Sequence, residues 1–199
     1  MKNTEIPTNN KIMNHTLVYL LSGKAGVGKS FAANLIMRYY NNAGNYNCTI
    51  SPFANGVKQT ARFMGWNGKK DTAGRDLLQK IGQIGRAYNE DVWVDKTMNE
   101  LFNNPNYPFD VVIVDDWRFP NEFNHIKNLP LYKIVALRIS AADREILIDN
   151  PQQYNEISET SLDSFELFDY VIENPTANNM YLPDCLHDIV CIETVKNRS

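Results

Sequence analysis

Residues Gly23 to Ser30 read Gly-Lys-Ala-Gly-Val-Gly-Lys-Ser, a complete G-x-x-x-x-G-K-S/T loop, and no other stretch of the chain restricts the fold so tightly. The segment before it, Thr16 to Leu21, is β-branched, aromatic and apolar, the composition of a buried strand. The segment after it, Phe31 to Tyr40, has the spacing of a helix with Leu35 and Ile36 on one face. A strand, a glycine loop and a helix in that order are the context in which the motif acquires meaning. Glycines let successive backbone N–H groups turn inward at a helix N-terminus and form a nest for an anion. Lys29 is then placed to reach terminal phosphates, and the Ser30 hydroxyl to ligate Mg²⁺. Gly23, Lys24, Ala25, Gly26, Val27, Gly28, Lys29, Ser30 and Phe31 are the expected ATP phosphate-binding residues.

A chain of 199 residues accommodates one α/β domain with a small lid and a sizeable core. Its net charge of −3 argues against a surface that wraps a nucleic-acid polymer, so anion binding must come from a local cluster. Cys48, Cys185 and Cys191 lack C-x-x-C spacing, and His15, His125 and His187 are equally scattered, which speaks against a zinc site and for a reducing cytoplasm. The apolar run at Leu17 to Leu21 is too short to span a membrane and leads straight into the loop, so neither a membrane anchor nor a signal peptide is expected. Residues 1–14, polar and Asn-rich, read as a flexible extension, leaving 15–199 as a single domain.

Along that domain, Cys48 to Ile50 reads as a short strand. Gly56 to Met64, Thr72 to Arg86 and Glu90 to Phe102 read as helices, the second carrying Leu77, Leu78, Ile81 and Ile84 at three- and four-residue spacing. Asp110 to Asp115 is a second strong strand, its continuous apolar interior suited to a parallel sheet covered on both faces. A helix from Pro120 to Lys127, a strand from Lys133 to Ile139 and a strand from Tyr170 to Ile172 follow. Asp143 to Ile148 reads as a helix start, 149–164 as polar and irregular, and Leu182 to Val195 as a helix or a helix with a strand end. Strands alternating with helices give a doubly wound parallel sheet flanked by helices.

Asp115, Asp116 and Arg118 end the second strong strand. Carboxylates at the C-terminal end of such a strand lie beside the ligand crevice of open α/β sheets, and in loop proteins of this kind one of them holds Mg²⁺. Adjacent side chains point in different directions, so the two aspartates have different roles. Spacing alone does not say which of the two meets the metal. Arg118 could lay a bidentate fork on a phosphate, and Arg75, Arg86, Arg138 and Arg144 are further cations for a transferring group. The guanine-reading N-K-x-D stretch of GTPase switches is missing, as is the signature loop of transport ATPases.

Four separated blocks resemble the phage deoxynucleoside monophosphate kinases: the loop itself; Phe53 to Lys58; Arg75 to Gly82 with Trp93 downstream; and Val114 to Arg118 with Glu122. A weaker fifth block runs from Ile157 to Ser161 and on to Asn174. The resemblance implies a P-loop NTPase fold, with a helical acceptor region at about 53–102 and a lid at about 141–164. It implies ATP-dependent, Mg²⁺-assisted phosphorylation of a deoxynucleoside monophosphate, by in-line transfer. Lys29, Arg118, Asp116 and Arg75 would be catalytic. Phe53, Lys58, Arg75, Gly82, Trp93, Asp116, Arg118 and Glu122 would line the acceptor pocket. Arg138 and Arg144 would serve the lid or the phosphates, and Ser30 and Asp115 the metal. Its partners would be small nucleotides, in the cytoplasm of a host if the chain is phage-encoded, and a homodimer is left open. This sequence departs from the family in ending its loop with Lys-Ser, and in a deletion between residues 64 and 72 that bears on base specificity and dimer contacts. Two alternatives remain: a P-loop kinase of another phosphorylated metabolite, and a nucleotide-binding regulatory or assembly ATPase.

Overall fold

Alternation along the first strand sets the architecture. In β1 (Thr16–Ser22), Leu17, Tyr19 and Leu21 face one way, Val18 and Leu20 the other, and all five are buried. A strand apolar on both sides must be covered on both faces. The structure, a computed structural model, describes residues 14–44, 46–141, 160–174 and 181–198. In it β1 is the centre of a five-stranded parallel sheet of order β2-β3-β1-β4-β5, with β2 at Cys48–Ile50, β3 at Val111–Val114, β4 at Tyr132–Ser140 and β5 at Tyr170–Glu173.

One face is covered by α1 (Lys29–Ala43) and α6 (Tyr181–Arg198), which bring Ala32, Leu35, Ile36, Tyr40, Leu186 and Val190 onto Leu17, Tyr19 and Leu21. The stretch expected to be a helix or a helix with a strand end is therefore one continuous helix. The opposite face is covered by α4 (Val92–Phe102) and α5 (Pro120–Lys127), through Val94, Met98, Leu101, Phe123 and Ile126. Two further helices, α2 (Ala54–Phe63) and α3 (Thr72–Tyr88), join α4 in a satellite core of Val57, Ala61, Ile81 and Trp93.

This layering places the crevice. The chain leaves β1 for α1 on one face and leaves its neighbour β3 for α5 on the other. Adjacent strand ends whose connections diverge open a gap between them, the switch point where ligands of doubly wound sheets bind. Behind the end of β3 the indole of Trp117 is fully buried, with ring centroids 5.8 Å from Phe123, 5.1 Å from Phe165 and 5.3 Å from Phe168. Each such aromatic pair adds about 0.5–1.5 kcal/mol beyond its area, so the turn after β3 is held stiffly. The segment 149–164, expected to be irregular throughout, is anchored at its described end, because Leu162 and Phe165 pack into that cluster. The helix start expected at Asp143 to Ile148, most of the expected lid, and Arg144 lie outside the described residues, as do residues 1–13 of the expected extension.

Candidate functional site

The glycine loop bridges β1 and α1. Gly23 and Gly28 have φ of 144° and 107°, conformations that L side chains rarely adopt. At Gly28 a Cβ would also lie 2.9 Å from Nδ2 of Asn174. That amide, just beyond β5, donates to the Val27 carbonyl at 2.8 Å and fastens the loop to the far side of the sheet. Lys29 opens α1 and its ammonium donates to the Gly23 carbonyl at 2.6 Å and the Lys24 carbonyl at 2.9 Å, so the cation lies within the curl of its own loop. No side chain caps α1 and its first turn holds no acidic residue, which leaves the positive end of the helix dipole unopposed by its own sequence. Val27 is buried in the core, while Ala25, Gly26 and Phe31 are exposed around the loop.

The two aspartates after β3 separate cleanly. Asp115 accepts from the Ser30 hydroxyl at 2.6 Å, joining the first turn of α1 to the end of the neighbouring strand. Asp116 points the other way, accepting from the backbone N–H of Phe53 at 2.8 Å and of Ala54 at 3.0 Å. It thereby holds the start of α2 against the sheet, with Lys58 close enough to favour its ionised form. Desolvation nevertheless raises its pKa, against the lowering effect of the two N–H donors. Phe53 itself is buried in the sheet core.

Arg118 and Glu122 are coupled through the backbone. Glu122 Oε2 accepts from the N–H of Arg118 and of Phe119, both at 3.0 Å, which closes the first turn of α5 behind Pro120. Burial pushes the Glu122 carboxyl up to about 8, with Asp116 adding to the rise and Arg86 opposing it. The Arg86 guanidinium stacks 4.1 Å from the centroid of the Phe119 ring and lies over Gly82, and burial lowers its pKa. Glu122 is thus 5% exposed and acts on Arg118 by fixing its main chain.

On the helical side, Arg75 Nε donates to the Lys70 carbonyl at 2.8 Å, at the start of α3 where Asp71 caps the helix through the N–H of Gly74. Trp93 is 7% exposed, and its indole N–H donates to the Gly82 carbonyl at 3.1 Å. Gly56 and Gly85 give its ring room, since a Cβ on either would collide with it. The structure therefore places Trp93 and Gly82 in the packing between α2, α3 and α4, and leaves Lys58 and Arg75 as the more open groups of that set.

Three participants were not assigned from the sequence: Ser22, Asp163 and Asn174. Arg138, near the end of β4, donates Nη1 to the buried Ser22 hydroxyl at 3.0 Å and pairs Nη2 with Asp163 at 2.6 Å. The other oxygen of Asp163 lies 3.5 Å from Nζ of Lys24 in the loop. No motif spacing flags an aspartate so far along the chain; only β4 running beside β1 brings the groups together.

Among the described residues no cluster of three His, Cys, Asp or Glu side chains converges on a metal position, and no helix is long and apolar enough to cross a membrane. No protein-family model matches the chain, and no curated protein is significantly similar to it. Among solved structures, the chain is similar to one described as "Crystal structure of APE1195", at 16% identity over 90% of this chain and 97% of that one, with a TM-score of 0.45. A likeness that low carries no functional inference.

Proposed function

We propose that the chain is a P-loop kinase that transfers the γ-phosphoryl group of ATP to the phosphate of a deoxynucleoside monophosphate. The observation that carries the reading is the 2.6 Å contact of Ser30 with Asp115 beside the glycine loop, at the switch point of the sheet. A hydroxyl and a carboxylate are hard oxygen donors, the set Mg²⁺ accepts when it keeps most of its remaining positions for water and substrate phosphates. Ser30 and Asp115 would hold that ion, and when bound it would neutralise phosphate charge. The remaining work is positioning and charge compensation, which is what phosphoryl transfer asks of a protein.

In this reading the loop amides and Lys29 bind the triphosphate, the ammonium moving from its two carbonyl partners onto phosphate oxygens. Asp116 ties the start of α2 to the sheet, so that Lys58 and Arg118 project toward the acceptor from fixed backbones. Glu122 and Arg86 support Arg118 from behind. Arg75 offers a further cation from α3. The three cysteines form no disulfide, which suits a reducing cytoplasm. The test is ADP release measured in a coupled assay with each deoxy- and ribonucleoside monophosphate in turn. Stimulation by one or more of them at least tenfold above the rate with ATP alone is expected. Stimulation only by some other phosphorylated metabolite would reassign the acceptor, and slow hydrolysis indifferent to every acceptor would favour a regulatory or assembly ATPase.

A further inference from the structure

Two cations from different strands converge on one carboxylate at the mouth of the glycine loop. Lys24 comes from the loop after β1, Arg138 from β4, and Asp163 sits between them at 3.5 and 2.6 Å. The Asp163 carboxylate is exposed, but the turn that carries it is held in place. The Asp163 N–H donates to the Thr160 carbonyl at 2.9 Å, and its neighbour Leu162 is buried in the core, so the turn presents the carboxylate at a fixed place. Arg138 is equally constrained, by the buried Ser22 hydroxyl and by Phe168, whose ring centroid lies 5.8 Å from the guanidinium carbon.

One guanidinium N–H and an ammonium converging on one anion are groups that bind a phosphoryl oxyanion, and a carboxylate engages them in the same way. We infer that Lys24 and Arg138, the latter held in place by the Ser22 hydroxyl, form a phosphate subsite whose resident anion is the protein's own Asp163. The inference rests on the phosphate-loop reading above and adds to it a control on which anions the site accepts. An orthophosphate ion offers little beyond what Asp163 already supplies and is repelled by it. A polyphosphate anchored at the same time on the loop amides and Lys29 gains enough elsewhere to displace the carboxylate. Asp163 thereby favours polyphosphate ligands over single phosphate ions.

Calorimetric titration of the full chain with inorganic tripolyphosphate and with orthophosphate, at constant Mg²⁺ and ionic strength, tests this. Asp163→Asn keeps the shape of the side chain and removes its charge. The variant is expected to bind orthophosphate about tenfold tighter than the wild type and tripolyphosphate by a smaller factor, so that discrimination between them falls. Adding Lys24→Met to Asp163→Asn should cancel most of that gain, because the two act on one subsite. Asp163→Ala, titrated in the same way, guards against a folding defect particular to the amide. A wild type that binds tripolyphosphate while both Asp163 variants bind each anion no more tightly overturns the inference and leaves the loop reading standing. Absence of binding to wild type and variants alike overturns both.

Discussion

Ser30 and Asp115 lie eighty-five positions apart in the chain and meet at 2.6 Å, hydroxyl to carboxylate, across the gap between α1 and the end of β3. Asp116, the next residue, meets neither; it turns to the first N–H groups of α2. Neighbouring carboxylates with opposite environments give the pair a division of labour, one engaging the first turn of α1 and one fastening α2 to the sheet.

That division is measurable. Asp116→Ala leaves two N–H donors at the start of α2 without an acceptor and should cost about 1–3 kcal/mol in urea unfolding. Asp115→Asn keeps an acceptor for Ser30, should change stability by less than about 1 kcal/mol, and should raise the Mg²⁺ concentration for half-maximal activity about tenfold or more. Equal stability losses in the two variants would contradict the assignment.

Lys29→Met removes the ammonium that now rests on the Gly23 and Lys24 carbonyls. Turnover should fall at least about a hundredfold, as for the loss of a donor aimed at developing charge, while far-UV circular dichroism stays unchanged. Turnover within a few-fold of wild type would take Lys29 out of the chemistry.

Glu122 makes a prediction about pH. Its carboxyl is raised by burial to about 8 from an ordinary value near 4.5, so the folded state holds this proton more tightly than the unfolded state does. The resulting stabilisation is present in full below about pH 4.5 and is lost as pH rises through about 8. Asp116, also raised, acts in the same direction. Glu122→Gln retains an acceptor for the N–H groups of Arg118 and Phe119 and does not titrate. Its stability relative to wild type should therefore climb steadily from pH 5 to pH 8 in parallel urea melts. A difference that stays flat over that range would refute the raised pKa.

Trp93 offers a test of packing against ligand contact. Closed in by Gly56 and Gly85, with its N–H on the Gly82 carbonyl, it should cost about 3–5 kcal/mol when replaced by alanine, the range for emptying an aromatic site in a core. A loss under about 1 kcal/mol, with acceptor affinity falling instead, would return the indole to the acceptor pocket.

The sheet was legible because its strands advertise themselves. Thr16 to Leu21 and the apolar run after Asp110 are uniformly β-branched or apolar, and α3 shows its period through Leu77, Leu78 and Ile81. The loop was legible because its chemistry is local: glycines, a lysine and a hydroxyl within eight residues. What sequence spacing could not carry was the outcome of long-range packing. Whether Asp115 or Asp116 faces Ser30 depends on how β3 twists beside β1. Whether Trp93 meets a ligand or a core depends on two glycines, Gly56 and Gly85, in two other helices. Asp163 was invisible for the same reason, since its partners Lys24 and Arg138 become its neighbours only after β4 aligns with β1.

The most direct test of the central claim is calorimetric titration of the full chain with ATP, with and without Mg²⁺. Saturable one-to-one binding that tightens with Mg²⁺ and is lost in Lys29→Met is the expected result. Heats indistinguishable from dilution at millimolar ATP, or binding untouched by Lys29→Met, would contradict the assignment of Gly23 to Ser30 as a triphosphate cradle.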